Sequence, residues 1–185
     1  MNVRMGSWIK TYSGIHFYPQ DPRPEDFNII DIAHSLSNQC RFSGHVRQFY
    51  SVSQHSLLVA DLVQRSGAGN IEILSALLHD ATEAYLVDVP RPIKPYLKEY
   101  KSIEANVAAV IARKFGLIYP WPDSIMWADN VALYTEARDL LPGGTRDWNE
   151  PDGETDPSTI YPLTPGNAEM AFKAKYDELT GGNLC

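Results

Sequence analysis

The chain has 185 residues, 44% hydrophobic and 21% charged, with a formal net charge of -7. That length suits one domain, residues 1–185, with a sizeable core. The acidic balance argues against a broad duplex-binding surface, which needs a basic footprint, but leaves room for a small anion met by a few cations in one pocket.

In chain order, Trp8 to Tyr12 and Ile15 to Tyr18 flank the turn signal Ser13-Gly14 and predict a small hairpin. Pro19 to Pro24 is a proline-rich break. Ile29, Ile32, Ala33 and Leu36 have helical spacing and predict a helix over 29–38. Ser53 is the expected N-cap of a helix reaching Val63, with Leu58, Val59 and Leu62 in its stripe. Asn70 is the expected cap of the next, which buries Leu74, Leu77, Leu78 and Ala81 and must stop by Val89-Pro90-Arg91-Pro92. A longer helix is expected from Tyr96 to Phe115, with Gly116 as its C′ residue. After the Pro120-Trp121-Pro122 loop, Asp123 or Ser124 caps a helix reaching Leu141. Gly143 to Pro157 reads as an exposed connection. Thr164-Pro165 opens the last helix, to about Leu179. The sum is an all-α helical bundle with an N-terminal β-hairpin.

Cys40 and Cys185 form neither a disulfide framework nor a CxxC pair, so a reducing compartment is expected and a thiolate zinc site is not. Met1 to Lys10 lacks an apolar signal core, and no apolar run is long enough to span a membrane. The expectation is a cytoplasmic protein without membrane or nucleic-acid partners.

The five histidines are His16, His34, His45, His55 and His79. A lone histidine is more often structural than functional. His79, however, is followed by Asp80 at the polar end of an apolar helix, with Glu83 one turn later on the expected same face. Carboxylates at a helix C-terminus oppose the macrodipole, and a metal ion would relieve that. His55 lies on the preceding helix. Asp129 stands mid-helix among apolar neighbours, where an unpaired carboxylate is costly. Antiparallel helices can point such groups into one centre. Two imidazoles and two carboxylates suit Mn, Co, Fe, Ni or Zn better than Ca or Mg.

The pattern His55, His79-Asp80, Asp129 resembles the HD-domain phosphohydrolase signature. The stretch from His79 to Lys94 is similar to that of the HD-domain 5′-deoxynucleotidases. Ile32 to His45 and Phe49 to Ser56 add a likeness to their prophage-type, YfdR-like branch. Phage hydrolases of deoxyadenosine triphosphate share the architecture. The resemblance runs from Trp8 to the final helix.

The resemblance implies that His55, His79, Asp80 and Asp129 hold one divalent transition metal, Co, Mn or Zn before Mg, which activates water for attack on phosphorus. It implies Glu83 as acid/base, and Asp88 as a contact to the sugar hydroxyl or the reacting water. Arg41 and Lys94 are the implied phosphate contacts, with Arg91 a weaker one. Phe42 stands where relatives place a Trp that crowds the ribose 2′ position. Met126 stands where some relatives carry a Lys, which weakens a triphosphatase reading.

The expected substrate is a deoxynucleoside 5′-monophosphate, with a deoxynucleoside triphosphate as the alternative. A non-catalytic nucleotide sensor is disfavoured by Glu83 and Asp88. A di-iron oxygenase would need histidines after His79, and there are none. Self-association into a homo-oligomer is expected by resemblance only.

Overall fold

The structure is a computed structural model that describes residues 3–148, 150 and 152–182. Cys185 lies outside the described residues.

The N-terminal hairpin forms, with shorter strands than the β-prone runs. Strand β1, Ile9–Lys10, pairs antiparallel with β2, His16–Phe17, placing Ile9 opposite Phe17. Such a ribbon is marginal alone. It is anchored by the fully buried Phe17, whose ring lies 4.7 Å from Tyr85 and 5.6 Å from Phe27.

Seven α-helices follow among the described residues. Helix α1, Ile29–Asn38, starts at Asn28, whose side chain accepts the Asp31 N–H. Helix α2, Val52–Arg65, is capped by Ser51 rather than Ser53: Ser51 Oγ accepts the Gln54 N–H at 3.2 Å. An antiparallel bridge between Cys40 and Ser51 extends the chain just there, which moves the cap two residues earlier. Ser53 is buried in the first turn and accepts from Ser37 Oγ at 2.9 Å.

Helix α3, Asn70–Leu77, is shorter than its apolar pattern suggests, and Asn70 is its first residue rather than its cap. Tight turns follow, with Ala81 N–H on Leu78 O and Glu83 N–H on Asp80 O. The brief helix α4, Glu83–Leu86, comes next. His79, Asp80 and Glu83 therefore do not share one helix face: the tighter winding swings His79 and Asp80 off the α3 axis.

Helix α5, Lys98–Phe115, ends at Gly116, whose φ of 67° is the left-handed conformation expected there. Tyr96 stays outside it, in a single 3-10 turn. Helix α6, Asp123–Leu140, is preceded by Pro122. Neither candidate cap acts: Asp123 is the first helical residue, and Ser124 donates its hydroxyl to Glu72. Helix α7, Pro165–Thr180, is capped by Thr164 as expected.

Helix α2 packs against α1, α3, α6 and α7 and so forms the middle of the bundle. Val52, Val59, Ala60 and Val63 are fully buried on it. They meet Ile32 and Leu36 of α1, Leu77 of α3, Ala128 and Ala132 of α6 and Phe172 of α7 in one core.

The 143–157 connection is less exposed than its composition suggests. Asp156 is buried, accepts from Arg65 at 2.7 Å, and donates its own N–H to Thr135 Oγ1 at 2.8 Å. Trp148 packs edge-on against Tyr134. Polar residues can be buried when their partners are in place. Among the described residues, no helix is long and apolar enough to cross a membrane.

Candidate metal centre

The central position of α2 puts His55 where no water reaches it: the side chain is fully buried. Its Nδ1 donates to Glu136 Oε1 at 2.7 Å. His79, in the turn after α3, donates from Nδ1 to the Ala76 carbonyl at 2.8 Å. That carbonyl belongs to the last turn of α3, where acceptors are left over. With both Nδ1 atoms occupied as donors, each Nε2 carries its lone pair inward.

The two Nε2 atoms are buried and, among the described residues, have no hydrogen-bond partner. The ring centroids lie 5.3 Å apart, tilted at 54° to one another. Asp80 Oδ2 lies 3.4 Å from His55 Nε2 and 3.2 Å from His79 Nε2. One ligand atom from each of these three residues falls within 4.8 Å of the others, a spacing that can hold a metal ion. Asp129, on α6, flanks the group with Oδ1 3.2 Å from His55 Nε2. Its other oxygen accepts from Arg91 at 2.6 Å. Orphaned imidazole nitrogens are costly in a protein interior. Their convergence on carboxylate oxygen fits a divalent cation with mixed nitrogen and oxygen ligands.

The charge balance points the same way. Asp80, Asp129, Glu83, Asp88 and Glu136 outnumber Arg41, Arg91 and Lys94 around the centre. Burial and Arg41 push the His55 imidazole down, yet Glu136, Asp129 and Asp80 together hold it well above the usual histidine range. Burial opposes ionisation of Asp80 as well, but His79 and His55 hold it well below the carboxylate range.

Glu83 opens α4 with its side chain buried and Oε2 unpartnered. Burial first, then the charges of Asp80 and Asp88, push its carboxyl well up. Lys94 Nζ stands 3.8 Å from Glu83 Oε1 and donates to Glu104 at 3.0 Å. Asp88 is half-buried; burial raises its carboxyl and Arg41 counters. Arg41 lies in the loop between α1 and α2 and is buried. Its Nε donates to Glu136 Oε2 at 2.9 Å, and Nη1 lies 4.0 Å from Asp80. Phe42 has a φ of 53°, and its ring sits 5.5 Å from the Arg41 guanidinium. A cavity of about 740 Å³ between the hairpin, α1, α4 and Tyr100 of α5 is bordered by Glu83 and Gln39.

No family model matches the chain. It is 41% identical over 181 residues to the uncharacterized protein YfdR of Escherichia coli (strain K12), covering 97% of this chain and 99% of that one. It is 33% identical over 187 residues to an uncharacterized protein of Rhodobacter capsulatus, covering 94% and 95%. The chain belongs to the YfdR family.

In this YfdR-family chain, His34 and His45 stay outside the centre. His34 stacks on Tyr12 at 3.7 Å and pairs with Glu169 at 3.0 Å, while His45 is exposed. Trp121, Trp127 and Trp148 make core or loop contacts, Trp127 donating to Glu154 at 2.8 Å. Two residues that sequence reasoning passed over complete the surroundings. Glu136 is fully buried behind His55; its position two turns after Asp129 on one helix face was a readable signal. Gln39 donates to the Glu83 carbonyl and accepts from the Asp88 N–H, which no local pattern indicates.

Proposed function

We propose that the chain is a metal-dependent phosphohydrolase of the HD-domain type, acting on deoxynucleoside 5′-monophosphates and releasing phosphate. The observation that carries this reading is the pair of buried, unpartnered Nε2 atoms of His55 and His79 aimed at Asp80, beside the buried carboxyl of Glu83.

In this reading His55, His79, Asp80 and Asp129 hold one divalent transition metal, Co, Mn or Zn before Mg. When bound, the metal supplies Lewis-acid polarisation of a phosphate oxygen and an acidified water. Glu83 handles the proton. Burial and the nearby charges of Asp80 and Asp88 favour its protonated form, which suits a group that holds a proton and passes it on, and an acid/base group typically contributes about 10²–10⁴-fold. Arg41 and Lys94 balance phosphate charge, Arg41 with its fork and Lys94 as a point charge. Asp88 meets the sugar hydroxyl or the reacting water, and Phe42 crowds the 2′ position of a ribose. A homo-oligomer is part of the proposal; nucleic-acid and membrane partners are not.

A deoxynucleoside triphosphate is the second reading. It is favoured by Arg91, whose side chain is 58% exposed while one end holds Asp129. A longer phosphate chain would meet the free part of that guanidinium.

Phosphate release from mono-, di- and triphosphates of both sugars, assayed with Co²⁺, Mn²⁺, Zn²⁺ and Mg²⁺ in turn, tests both readings. Monophosphate turnover dependent on a transition metal is expected. Much faster turnover of triphosphates would replace the first reading with the second. Absence of turnover with every metal would remove both.

A further inference from the structure

Between Glu83 and Asp88 the main chain makes a turn that its own residues do not favour. Val87 has φ 68° and ψ 152°, a region that glycine enters freely and a β-branched residue does not. Val87 is 57% exposed as a residue, so burial is not what holds it there. Its N–H donates to the Glu83 carbonyl at 3.0 Å, which closes the turn but leaves its orientation open.

Two side chains meet this turn from outside: Tyr100 of α5 donates its hydroxyl to the Val87 carbonyl at 3.2 Å, and the flanking residues are met by Gln39, just past the end of α1. Its Nε2 donates to the Glu83 carbonyl at 2.9 Å and to Ser35 Oγ at 3.1 Å. Its Oε1 accepts the Asp88 N–H at 3.2 Å. One side-chain amide therefore grips the main chain on both sides of the strained residue. Gln39 is itself held, because its carbonyl accepts the Val52 N–H at 3.1 Å at the first turn of α2, the helix that carries His55. The grip needs a donor and an acceptor at this reach. Asparagine is one methylene short, and glutamate would set an oxygen against the Glu83 carbonyl.

We propose that Gln39 is a positioning residue: it holds Val87 in its strained conformation and thereby aims the Glu83 and Asp88 carboxyl groups at the metal centre. The inference rests on the reading of Glu83 as acid/base. It adds that catalytic alignment is set from α1, by a residue that touches neither metal nor substrate.

The test compares wild type, Gln39→Ala, Gln39→Glu, Val87→Gly, the Gln39→Ala/Val87→Gly double variant and Glu83→Gln. The readouts are steady-state kinetics on deoxyadenosine 5′-monophosphate with Mn²⁺ and hydrogen exchange at the Asp88 amide. Gln39→Ala is expected to lower kcat about 10- to 100-fold, the range for a misplaced reacting group, with KM little changed. The Asp88 amide should lose protection. Gln39→Glu should also be slow but keep that protection, since an acceptor remains. Glycine occupies the Val87 conformation unaided. Val87→Gly should therefore restore most of the kcat lost in Gln39→Ala, a rescue that a purely structural role would not produce.

A Gln39→Ala variant at wild-type kcat beside an inactive Glu83→Gln overturns the proposal, as does a double variant no faster than Gln39→Ala alone. Unchanged Asp88 exchange in Gln39→Ala overturns it whatever the kinetics. Full activity of Glu83→Gln, or an inactive wild type, strikes instead at the proposed reaction, and the exchange measurement then decides whether the grip exists.

Discussion

Glu136 Oε1 lies 2.7 Å from His55 Nδ1, with both side chains fully buried. The carboxylate thereby sets the ring's orientation and tautomer, leaving Nε2 as the inward lone pair. Burial alone would raise the Glu136 carboxyl, but Arg41 and His55 outweigh it and hold it low. Glu136→Gln is expected to weaken Co²⁺ binding about 10- to 100-fold, the usual effect of losing the outer partner of a ligating histidine. Glu136→Ala should also destabilise the fold by about 3–5 kcal/mol, because Arg41 is left buried without its partner. Calorimetric titration with Co²⁺ and urea unfolding measure the two effects. Wild-type affinity in Glu136→Gln would show that Glu136 serves Arg41 alone.

The converging Nε2 atoms predict that a transition metal stabilises the protein. A ligand present at 100 times its Kd and bound only by the folded state adds about 2.7 kcal/mol. Tm should therefore rise on adding Co²⁺ or Mn²⁺ to the metal-free protein and fall back with a chelator. His79→Ala and Asp80→Ala should abolish the rise. A Tm indifferent to every divalent ion tried would speak against a metal centre.

Glu83 is unpartnered at Oε2 and lies beside the proposed ligands rather than among them. Glu83→Gln is expected to cut kcat by about 10²–10⁴-fold while keeping the metal-induced rise in Tm. Assay of phosphate release alongside thermal denaturation separates the two. Joint loss of turnover and metal binding would make Glu83 a ligand instead.

Asp156 gives a pH dependence remote from the centre. Burial pushes its carboxyl up, but hydrogen bonds from Ser158 and Arg65 hold it below the usual carboxylate range. A depressed folded-state value means that its stabilisation is complete above about pH 4 and lost as pH falls through the folded value. Asp156→Asn should be less stable than wild type by about 1–3 kcal/mol at pH 6, with a smaller gap at pH 3. Urea unfolding at the two pH values checks this; a gap that does not narrow would show that charge is not what Asp156 contributes.

The helices were largely legible in the sequence because their signal is local. The stripe Ile29, Ile32, Ala33, Leu36 marks α1, and Gly116 and Thr164-Pro165 mark a helix end and a helix start where the structure has them. The convergence of His55, His79 and Asp80 was inferred from residue types and resemblance, and the bundle brings them together. Only the tertiary structure decided that α3 stops before His79, that Ser51 takes the cap from Ser53, and that Asp129 shares its carboxylate with Arg91. It also decided that Glu136 stands behind His55 and that Gln39 grips the turn before Asp88. The physical reason is range. Amphipathic spacing and proline or glycine stops act within a few residues, whereas a buried charge or a strained turn takes its partner from whichever distant segment the packing brings beside it.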